Sequence, residues 1–99
     1  MSKEAEIFVG KKPPMNYVLA CLTAFHEGAN EVVVKARGQS ISKAVDVVEV
    51  IRRKFMRDTE IRSIDIGTEE IPLKNGQGSR RASSIAIKLG KVKKQSDVE

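Results

Sequence analysis

Two short loops place basic side chains beside glycines, a combination suited to binding phosphate. The first loop is Gly10–Pro13, with Lys11 and Lys12, and the second is Arg37–Ser40. Lysine and arginine attract anions, while a glycine lets the backbone approach a ligand closely. Each loop also precedes a candidate helix, whose free N-terminal amides and dipole favour negative charge. We therefore predict that both loops bind phosphate groups.

A third basic segment surrounds Asn75-Gly76, a pair that is typical of β-hairpin turns. The segment carries Lys74, Arg80 and Arg81, and its two glycines predict a mobile tip. Such a hairpin would add a flexible basic arm to the two loops.

Acidic residues avoid the parts of the chain that contain these segments. The windows 7–26, 32–45 and 71–96 hold 12 of the 18 Lys and Arg residues and none of the 13 Asp and Glu residues. The formal net charge of +5 is therefore strongly segregated, and a basic surface without carboxylates projects a positive potential outward. The first hypothesis is that the protein binds nucleic acid through its backbone phosphates.

Each cation also has an ordinary explanation. Lys11 and Lys12 would suit any solvated surface, and Arg37 could pair with Glu31 or Glu60 across a sheet. Three lysines near the C-terminus are explained by solubility alone: Lys91, Lys93 and Lys94. The joint placement of the cations is thus a stronger signal than any single one.

The sequence predicts neither a catalytic site nor a cofactor. His26 and Cys21 are the only residues of their types, and one of each cannot build a zinc site. The segment Gly10–Lys12 lacks the earlier glycine and the following Ser or Thr of a P-loop. Asp46 and Glu49 share a helix face without a plausible acid–base partner. We therefore expect no enzyme activity.

Length and cysteine content indicate a single cytosolic domain. Ninety-nine residues are enough for one domain with a thin core. The lone Cys21 cannot form an internal disulfide, which agrees with a reducing compartment. No apolar run approaches the ~18 residues of a membrane span, so we expect no membrane partner.

Four strands and two helices in the order βαβαββ are predicted to position the basic segments. Apolar alternation and helical spacing give strands at 7–9, 32–37, 64–66 and 85–89, and helices from Pro13 to Gly28 and from Ser40 to Phe55. We expect a compact α+β domain over residues 1–90, a hairpin arm at about 72–84, and a frayed basic tail over 91–99. Because loops that leave parallel strands share one edge of a sheet, the two glycine-containing loops should lie side by side.

The apolar face of the second helix predicts a homodimer. Val47 and Val50 lie beside the stripe of this helix and widen it to half the helix or more. A helix that packs only on its own sheet needs a narrower apolar face. In a chain this short, the simplest partner for the surplus is another copy.

The aromatic residues favour binding to duplexes over single strands. Tyr17, Phe8, Phe25 and Phe55 are the only rings, and the three phenylalanines match apolar stripes. Recognition of single strands by stacking needs several exposed rings. We expect no such platform.

Three stretches of the chain closely resemble the archaeal Alba chromatin proteins: Gly10–Ala20, Val34–Asp46 and Glu49–Phe55. The resemblance covers nearly the whole chain. It implies a two-layer fold like the C-terminal domain of translation initiation factor 3, with a four-stranded mixed sheet, assembled as a homodimer. It also implies sequence-independent binding of double-stranded DNA, and often RNA, in a nucleoid.

The resemblance further implies roles for individual residues. Lys11 and Lys12 would face the nucleic acid, and Lys11 would be acetylated, which implies an acetyltransferase and a deacetylase as partners. Phe55 would mediate dimer–dimer contacts along DNA. The remaining expected contacts are Asn16, Tyr17, Arg37, Gln39 and Lys43 in the matching stretches, and Lys74, Arg80 and Arg81 in the arm that follows the minor groove. Gln39 departs from the family, in which arginine is common at this position.

Charge alone leaves other functions open. An RNA-binding module, such as a ribonucleoprotein subunit or an RNA chaperone, would need the same basic surface. An assembly protein could use it to meet an acidic protein partner. A phosphate-handling enzyme is the third alternative.

Overall fold

The computed structural model describes residues 3–92, so the tail lysines Lys93 and Lys94 lie outside the described residues. The element order is β1 (Glu4–Phe8), α1 (Pro14–His26), β2 (Glu31–Arg37), α2 (Ser40–Val50), a π-helical turn (Ile51–Phe55), β3 (Thr59–Pro72) and β4 (Ser79–Lys91). The strands form one sheet in the order β1-β2-β4-β3. β1 is parallel to β2, whereas β4 is antiparallel to both of its neighbours. The predicted α+β fold with a mixed four-stranded sheet and two helices is confirmed.

Helix α1 begins and ends at residues whose chemistry sets its limits. Pro14 is its first residue, where an amide would have no helical partner. At the other end, Gly28 has a φ of +107°, and its amide donates to the carbonyl of Phe25. The amide of Ala29 donates to the carbonyl of Ala24 at 3.0 Å, which completes a Schellman C-cap.

The core lies on one face of the sheet. Successive strand side chains point to opposite faces, so Val32 and Val34 of β2 share a face with Ile87 and Leu89 of β4. Both helices pack on this face, and they contribute the buried residues Val18, Cys21, Phe25, Ala44, Val47, Val48 and Ile51. Burial raises the pKa of the Cys21 thiol to about 12, so this cysteine is an unreactive core residue.

The broad apolar face of α2 is used within the chain. Val47 is fully buried and Val50 packs at the margin of the core, so these two residues do not form the spare surface expected for a partner. The reason is that α2 contacts α1 as well as β2 and β4, so more than one stripe of the helix is covered. Val45, on another side of the helix, remains exposed.

No helix among residues 3–92 covers the second face of the sheet, which we call the open face. Strand alternation and the pairing register define its members: Glu4, Glu6, Phe8, Glu31, Val33, Lys35, Arg37, Glu60, Ser63, Asp65, Gly67, Ser84, Ala86, Lys88 and Gly90. Charged residues dominate the half of this face near the start of β1 and β2. The half near the ends of those strands combines three small residues, Gly67, Ser84 and Ala86, with Phe8, Lys35, Arg37 and Asp65.

Strands β3 and β4 extend well beyond the other two strands and form the arm. β2 ends at Arg37, which pairs with Ser84, whereas β3 and β4 remain paired as far as Pro72 and Ser79. The arm therefore spans residues 68–83 and starts four residues earlier than the predicted 72–84. The arm starts where β2 ends. The sequence pattern of the hairpin alone does not show where β2 ends.

Other strand limits also differ from the predictions, at the start of β1 and the end of β4 among others. β1 begins at Glu4, three residues before the apolar run, because it pairs with β2 from Glu31 onward. β4 continues through Lys91, one residue into the segment predicted to be frayed, because Lys91 pairs with Thr59. The side chain of Arg62 donates to the carbonyl of Lys91 at 2.8 Å and fixes this end further.

Candidate nucleic-acid interface

The loop that follows β1 is held by two side chains from the helices. The hydroxyl of Tyr17, on α1, accepts hydrogen bonds from the amides of Gly10 (2.9 Å) and Lys12 (3.1 Å). The ammonium of Lys43, on α2, donates to the carbonyls of Gly10 (2.8 Å) and Lys12 (2.7 Å). These four bonds fix the backbone, while the side chains of Lys11 and Lys12 are left exposed.

The environment of Tyr17 favours negative charge at its hydroxyl. Desolvation raises the pKa of the phenol, but the amides of Lys12 and Gly10 and the charges of Lys43 and Lys12 lower it more. The net pKa of Tyr17 therefore lies below its usual value. The positive charges of Lys43 and Lys12 would also attract an external anion beside this loop.

The loop that follows β2 lies next to the arm. Gly38 adopts a φ of +60°, which glycine tolerates and most residues do not. Its amide donates to the carbonyl of Ser83 on β4 at 2.8 Å, and its carbonyl accepts from the amide of Ile41 at 3.2 Å. Gly38 thus joins the start of α2 to the base of the arm, and Gln39 is exposed beside it.

Arg37 pairs with a carboxylate of the arm. Its guanidinium lies 3.2 Å from Glu69, and both side chains are more than half exposed. The alternative partners Glu31 and Glu60 are both engaged by Arg62 instead. An exposed pair of this kind contributes only about 0–1 kcal/mol, so a phosphate can compete with Glu69 for Arg37.

Other cations of the sheet are also paired with carboxylates. Lys35 lies 2.9 Å from Glu6, and Lys88 lies 3.2 Å from Glu4 on the open face. The hydrogen bond and the charge of Glu4 raise the pKa of Lys88, with a further contribution from Glu31. Lys88 belongs to the most basic window of the sequence, yet its charge is balanced locally.

The cations of the first loop and the arm stand apart from this pattern. Within residues 3–92, no carboxylate lies within 4.0 Å of the charged groups of Lys11, Lys12, Lys74, Arg80 or Arg81. Unpaired positive charge therefore lies at the first loop and along the arm, although Lys3, Lys54, Arg57 and Lys91 also have no carboxylate partner among the described residues.

One broad concavity brings several predicted contact residues together. Its lining includes Lys11, Tyr17, Arg37, Gln39 and Arg80. Two carboxylates, Asp65 and Glu69, also line it, so the surface is not purely basic. The acid-free sequence window does not reveal these two carboxylates, because they belong to β3, which pairs with the basic strand β4.

The other predicted contacts do not line this concavity. Lys12 extends from the first loop, and Asn16 is exposed in the first turn of α1. Lys74 lies in the six-residue turn between β3 and β4, where the amide of Gln77 donates to Asn75. Arg81 points away from Arg80 by strand alternation and faces the same side of the arm as Glu70.

Two of the three phenylalanines are exposed, which corrects the assignment of all three to apolar stripes. Phe25 is buried in the core, but Phe8 is 68 % exposed and Phe55 is 49 % exposed. The run Ile7–Val9 is apolar throughout, yet only its first and last residues face the helices. Phe8 faces the uncovered side of the sheet, where it joins the same concavity as Lys11 and Arg37.

Comparison with known families agrees with this architecture. The family model described as Alba matches residues 5–68, which is more than half of the chain. This chain belongs to the Alba family. The matched range of this Alba protein contains both loops, whereas the basic residues of the arm, Lys74, Arg80 and Arg81, lie beyond it.

Relatives of this Alba chain match it over nearly their whole length. It is 51 % identical to the DNA/RNA-binding protein Alba 1 of Archaeoglobus fulgidus, over 89 % of this chain and 97 % of the relative. It is 50 % identical to the DNA/RNA-binding protein Alba of Methanocella arvoryzae, over 98 % of this chain and 100 % of the relative. The family resemblance inferred from the three sequence stretches is confirmed.

Solved structures give the same result for the fold. Alba from Thermoplasma volcanium superposes with a TM-score of 0.81 at 50 % identity, covering 87 % of this chain and 99 % of that one. ALBA1 from Trypanosoma brucei shares the fold with a TM-score of 0.71 at 24 % identity, covering 87 % of this chain and 68 % of that one.

Neither helix in residues 3–92 is long and apolar enough to cross a membrane.

Proposed function

We propose that this Alba protein binds double-stranded DNA independently of sequence, and RNA as well, through backbone phosphates. The observation that carries the proposal is the concavity shared by Lys11, Arg37 and Arg80 beside a loop of fixed backbone. The four loop hydrogen bonds reduce the entropy that Lys11 and Lys12 lose on binding. The names of the archaeal relatives, which describe DNA/RNA-binding proteins, support the same conclusion.

The binding unit in this proposal is a homodimer that presents two concavities and two arms. Support comes from Ile64 and Ile66 of β3, which are 54 % and 81 % exposed at the edge of the sheet. An exposed edge strand with apolar side chains favours association, because it offers both unpaired backbone groups and apolar area. A second copy packed there would bury both isoleucines.

Dimers of this kind would coat or compact nucleic acid in the nucleoid of the cytoplasm. Phe55, at the end of the π-helical turn, is half exposed and is the proposed contact between neighbouring dimers. Its position outside the lining of the concavity leaves it accessible to a second dimer on the same duplex.

Acetylation of Lys11 would tune the binding. The backbone of its loop is held by Tyr17 and Lys43, so the Lys11 side chain has no role in that network. Acetylation would then remove one cation per chain without disturbing the loop. An acetyltransferase and a deacetylase would be the corresponding partners.

A salt titration tests the electrostatic mechanism. If a dimer neutralises roughly 6–10 phosphates, duplex affinity should fall about 10³–10⁵-fold between 50 and 200 mM salt. The variant Arg80→Ala/Arg81→Ala should make the plot of log affinity against log salt shallower, by up to about 3.6 for four lost contacts per dimer. Affinity that does not respond to salt would reject phosphate binding and favour an acidic protein partner.

A matched control removes two arginines from another part of the same chain. Arg52 and Arg53 both pair with Glu49, at 2.6 and 3.1 Å, and neither lines the concavity. The variant Arg52→Ala/Arg53→Ala should keep the salt slope of the wild type much better than the arm variant. Equal slopes for the two double variants would mean that only net charge matters and that the arm has no special role.

Binding of RNA remains the second candidate function, and the exposed ring of Phe8 favours it. A duplex hides the faces of its bases within the stack, whereas a single strand can offer them to an aromatic side chain. Titrations with duplex DNA and with structured RNA at the same salt concentration compare the two directly.

A further inference from the structure

The ring of Phe8 stands on the open face next to the Lys35–Glu6 ion pair, with the ammonium of Lys35 over the ring. Phe8 is 68 % exposed, although it is the large apolar residue of a strand in the middle of an apolar run. A single exposed apolar side chain is common and indicates nothing by itself. The residues that surround this ring supply the argument.

Small side chains form part of the sheet surface near Phe8. In register across the four strands, Phe8 pairs with Lys35, Lys35 with Ala86, and Ala86 with Asp65. The next row toward the arm is Arg37, Ser84 and Gly67. Ala86, Ser84 and Gly67 leave a low floor between Lys35 and Arg37 of β2 on one side and the acids of β3 on the other, and Phe8 stands on the far side of Lys35.

The rim of this floor carries charges of both signs. Lys35 lies 5.5 Å from the centre of the Phe8 ring and is paired with Glu6. Lys11, Arg37 and Arg80 line the same concavity as Phe8. Asp65 and Glu69 line it from β3.

These groups match the parts of a nucleotide. An aromatic ring stacks on the flat face of a base, and cations nearby bind the phosphates on either side of it. Carboxylates accept hydrogen bonds from the exocyclic amino groups of adenine, cytosine or guanine. All three kinds of group line one concavity, whose floor includes small residues.

We propose that the open face binds an unpaired nucleobase of a single-stranded segment, with the base stacked on Phe8. Lys11 and Arg37 take the adjoining phosphates, and Asp65 faces the edge of the base. This inference rests on the proposed nucleic-acid function and adds a ligand class to the same concavity. A paired base in a duplex cannot enter, because both of its faces are already stacked.

The test separates base stacking from phosphate binding. The probes are a fluorescent single-stranded oligoadenylate, an abasic oligomer of the same length, and a DNA duplex, each titrated by anisotropy. The wild type should bind oligoadenylate about 5- to 150-fold more tightly than the abasic oligomer, the range expected for one stacked base. Phe8→Leu should bring this ratio close to one, whereas Phe8→Tyr, which keeps a ring, should preserve it.

Two controls keep the result specific to the ring. Leu19 on α1 is 56 % exposed and lies outside the concavity, so Leu19→Ala should leave the oligoadenylate-to-abasic ratio unchanged. Thermal melting of each variant shows whether the fold is intact. If Phe8→Leu does not fold, the variant Asp65→Asn tests the site instead. Loss of the carboxylate should change the preference for adenine over uracil oligomers.

The outcomes distinguish this proposal from the function on which it rests. An unchanged ratio in Phe8→Leu, or a wild type that binds both oligomers equally, overturns the stacking site and leaves duplex binding intact. Loss of duplex binding in Phe8→Leu with normal melting also overturns it, because Phe8 would then serve the duplex. A wild type that binds no duplex at all rejects the proposed function itself.

Discussion

The hydroxyl of Tyr17 and the ammonium of Lys43 act on the same two residues, Gly10 and Lys12, with opposite hydrogen-bonding roles. Tyr17 accepts from both amides, and Lys43 donates to both carbonyls. The two side chains come from different helices and together satisfy four backbone groups of one short loop. They thereby set the direction in which Lys11 and Lys12 leave the protein surface.

Removing the hydroxyl alone should loosen this loop without changing its charge. We expect Tyr17→Phe to lose about 0.5–1.5 kcal/mol of stability, the usual net contribution of a hydrogen bond. Duplex affinity should fall several-fold while the salt slope stays constant, because no cation is lost. Amide hydrogen exchange measured by NMR should become faster at Gly10 and Lys12; unchanged exchange at both amides would show that Tyr17 does not hold the loop.

The contacts of Tyr17 and Lys43 show what the sequence could and could not predict. Apolar alternation and helix-ending signals located every strand and helix, and the βα rule correctly placed the two loops at one edge of the sheet. Lys43 was predicted as a nucleic-acid contact from its place in a family stretch. Its bonds to Gly10 and Lys12 join residues 33 and 31 positions apart, and no local pattern encodes such a distance.

Exposure was harder to predict than secondary structure. Phe8 sits in a fully apolar run, and its exposure depends on which face of the sheet the helices leave uncovered. The pairing of Arg37 with Glu69 likewise depends on where β2 stops beside the arm. Both facts follow from the three-dimensional arrangement of strands, which one-dimensional charge windows do not contain.

Lys11 offers a charge change that should leave the fold untouched. Lys11→Gln mimics acetylation and removes one cation per chain, so the salt slope of a dimer should become shallower by about 1.8 if each lysine meets one phosphate. The melting temperature should not change, because the loop backbone is held by other residues.

The control for Lys11 is a lysine in the π-helical turn that follows α2. Lys54 is exposed and lies about 20 Å along the helix from Ser40, given a rise of about 1.5 Å per residue. Lys54→Gln removes the same charge and should keep the wild-type slope. If Lys11→Gln and Lys54→Gln give the same titration curves, Lys11 is not part of the interface.

Glu49 should make the stability of the fold depend on pH in the acid range. Hydrogen bonds from Arg52 and then Arg53 lower the pKa of Glu49 below its usual value. A carboxyl with a lower pKa in the folded state stabilises the protein above its unfolded pKa, about 4.3, and loses that effect as pH falls through the folded value. The difference in unfolding free energy between wild type and Glu49→Gln should therefore be constant near pH 7 and shrink below about pH 4. A difference that grows on acidification would contradict the assigned ion pairs.

Glu69 limits the binding that its partner Arg37 can provide. The carboxylate lies 3.2 Å from the guanidinium and lines the concavity, so it both competes with phosphate and repels it. Because the pair is exposed, its loss should change stability by less than about 1 kcal/mol. We expect Glu69→Gln to bind duplex DNA several-fold more tightly at low salt, with the advantage disappearing as salt screens both charges.

The neighbouring acid of the same strand provides the comparison for Glu69. Glu70 faces the other side of the arm by alternation and lines no part of the concavity, so Glu70→Gln changes the net charge equally. A larger gain for Glu69→Gln than for Glu70→Gln would place the phosphate on the Arg37 side of the arm. Equal gains would assign the effect to net charge, and a larger gain for Glu70→Gln would move the contact to the side of Arg81. The double variant Arg37→Ala/Glu69→Gln resolves the mechanism further: if Glu69 acts by occupying Arg37, its removal should give little gain once Arg37 is absent.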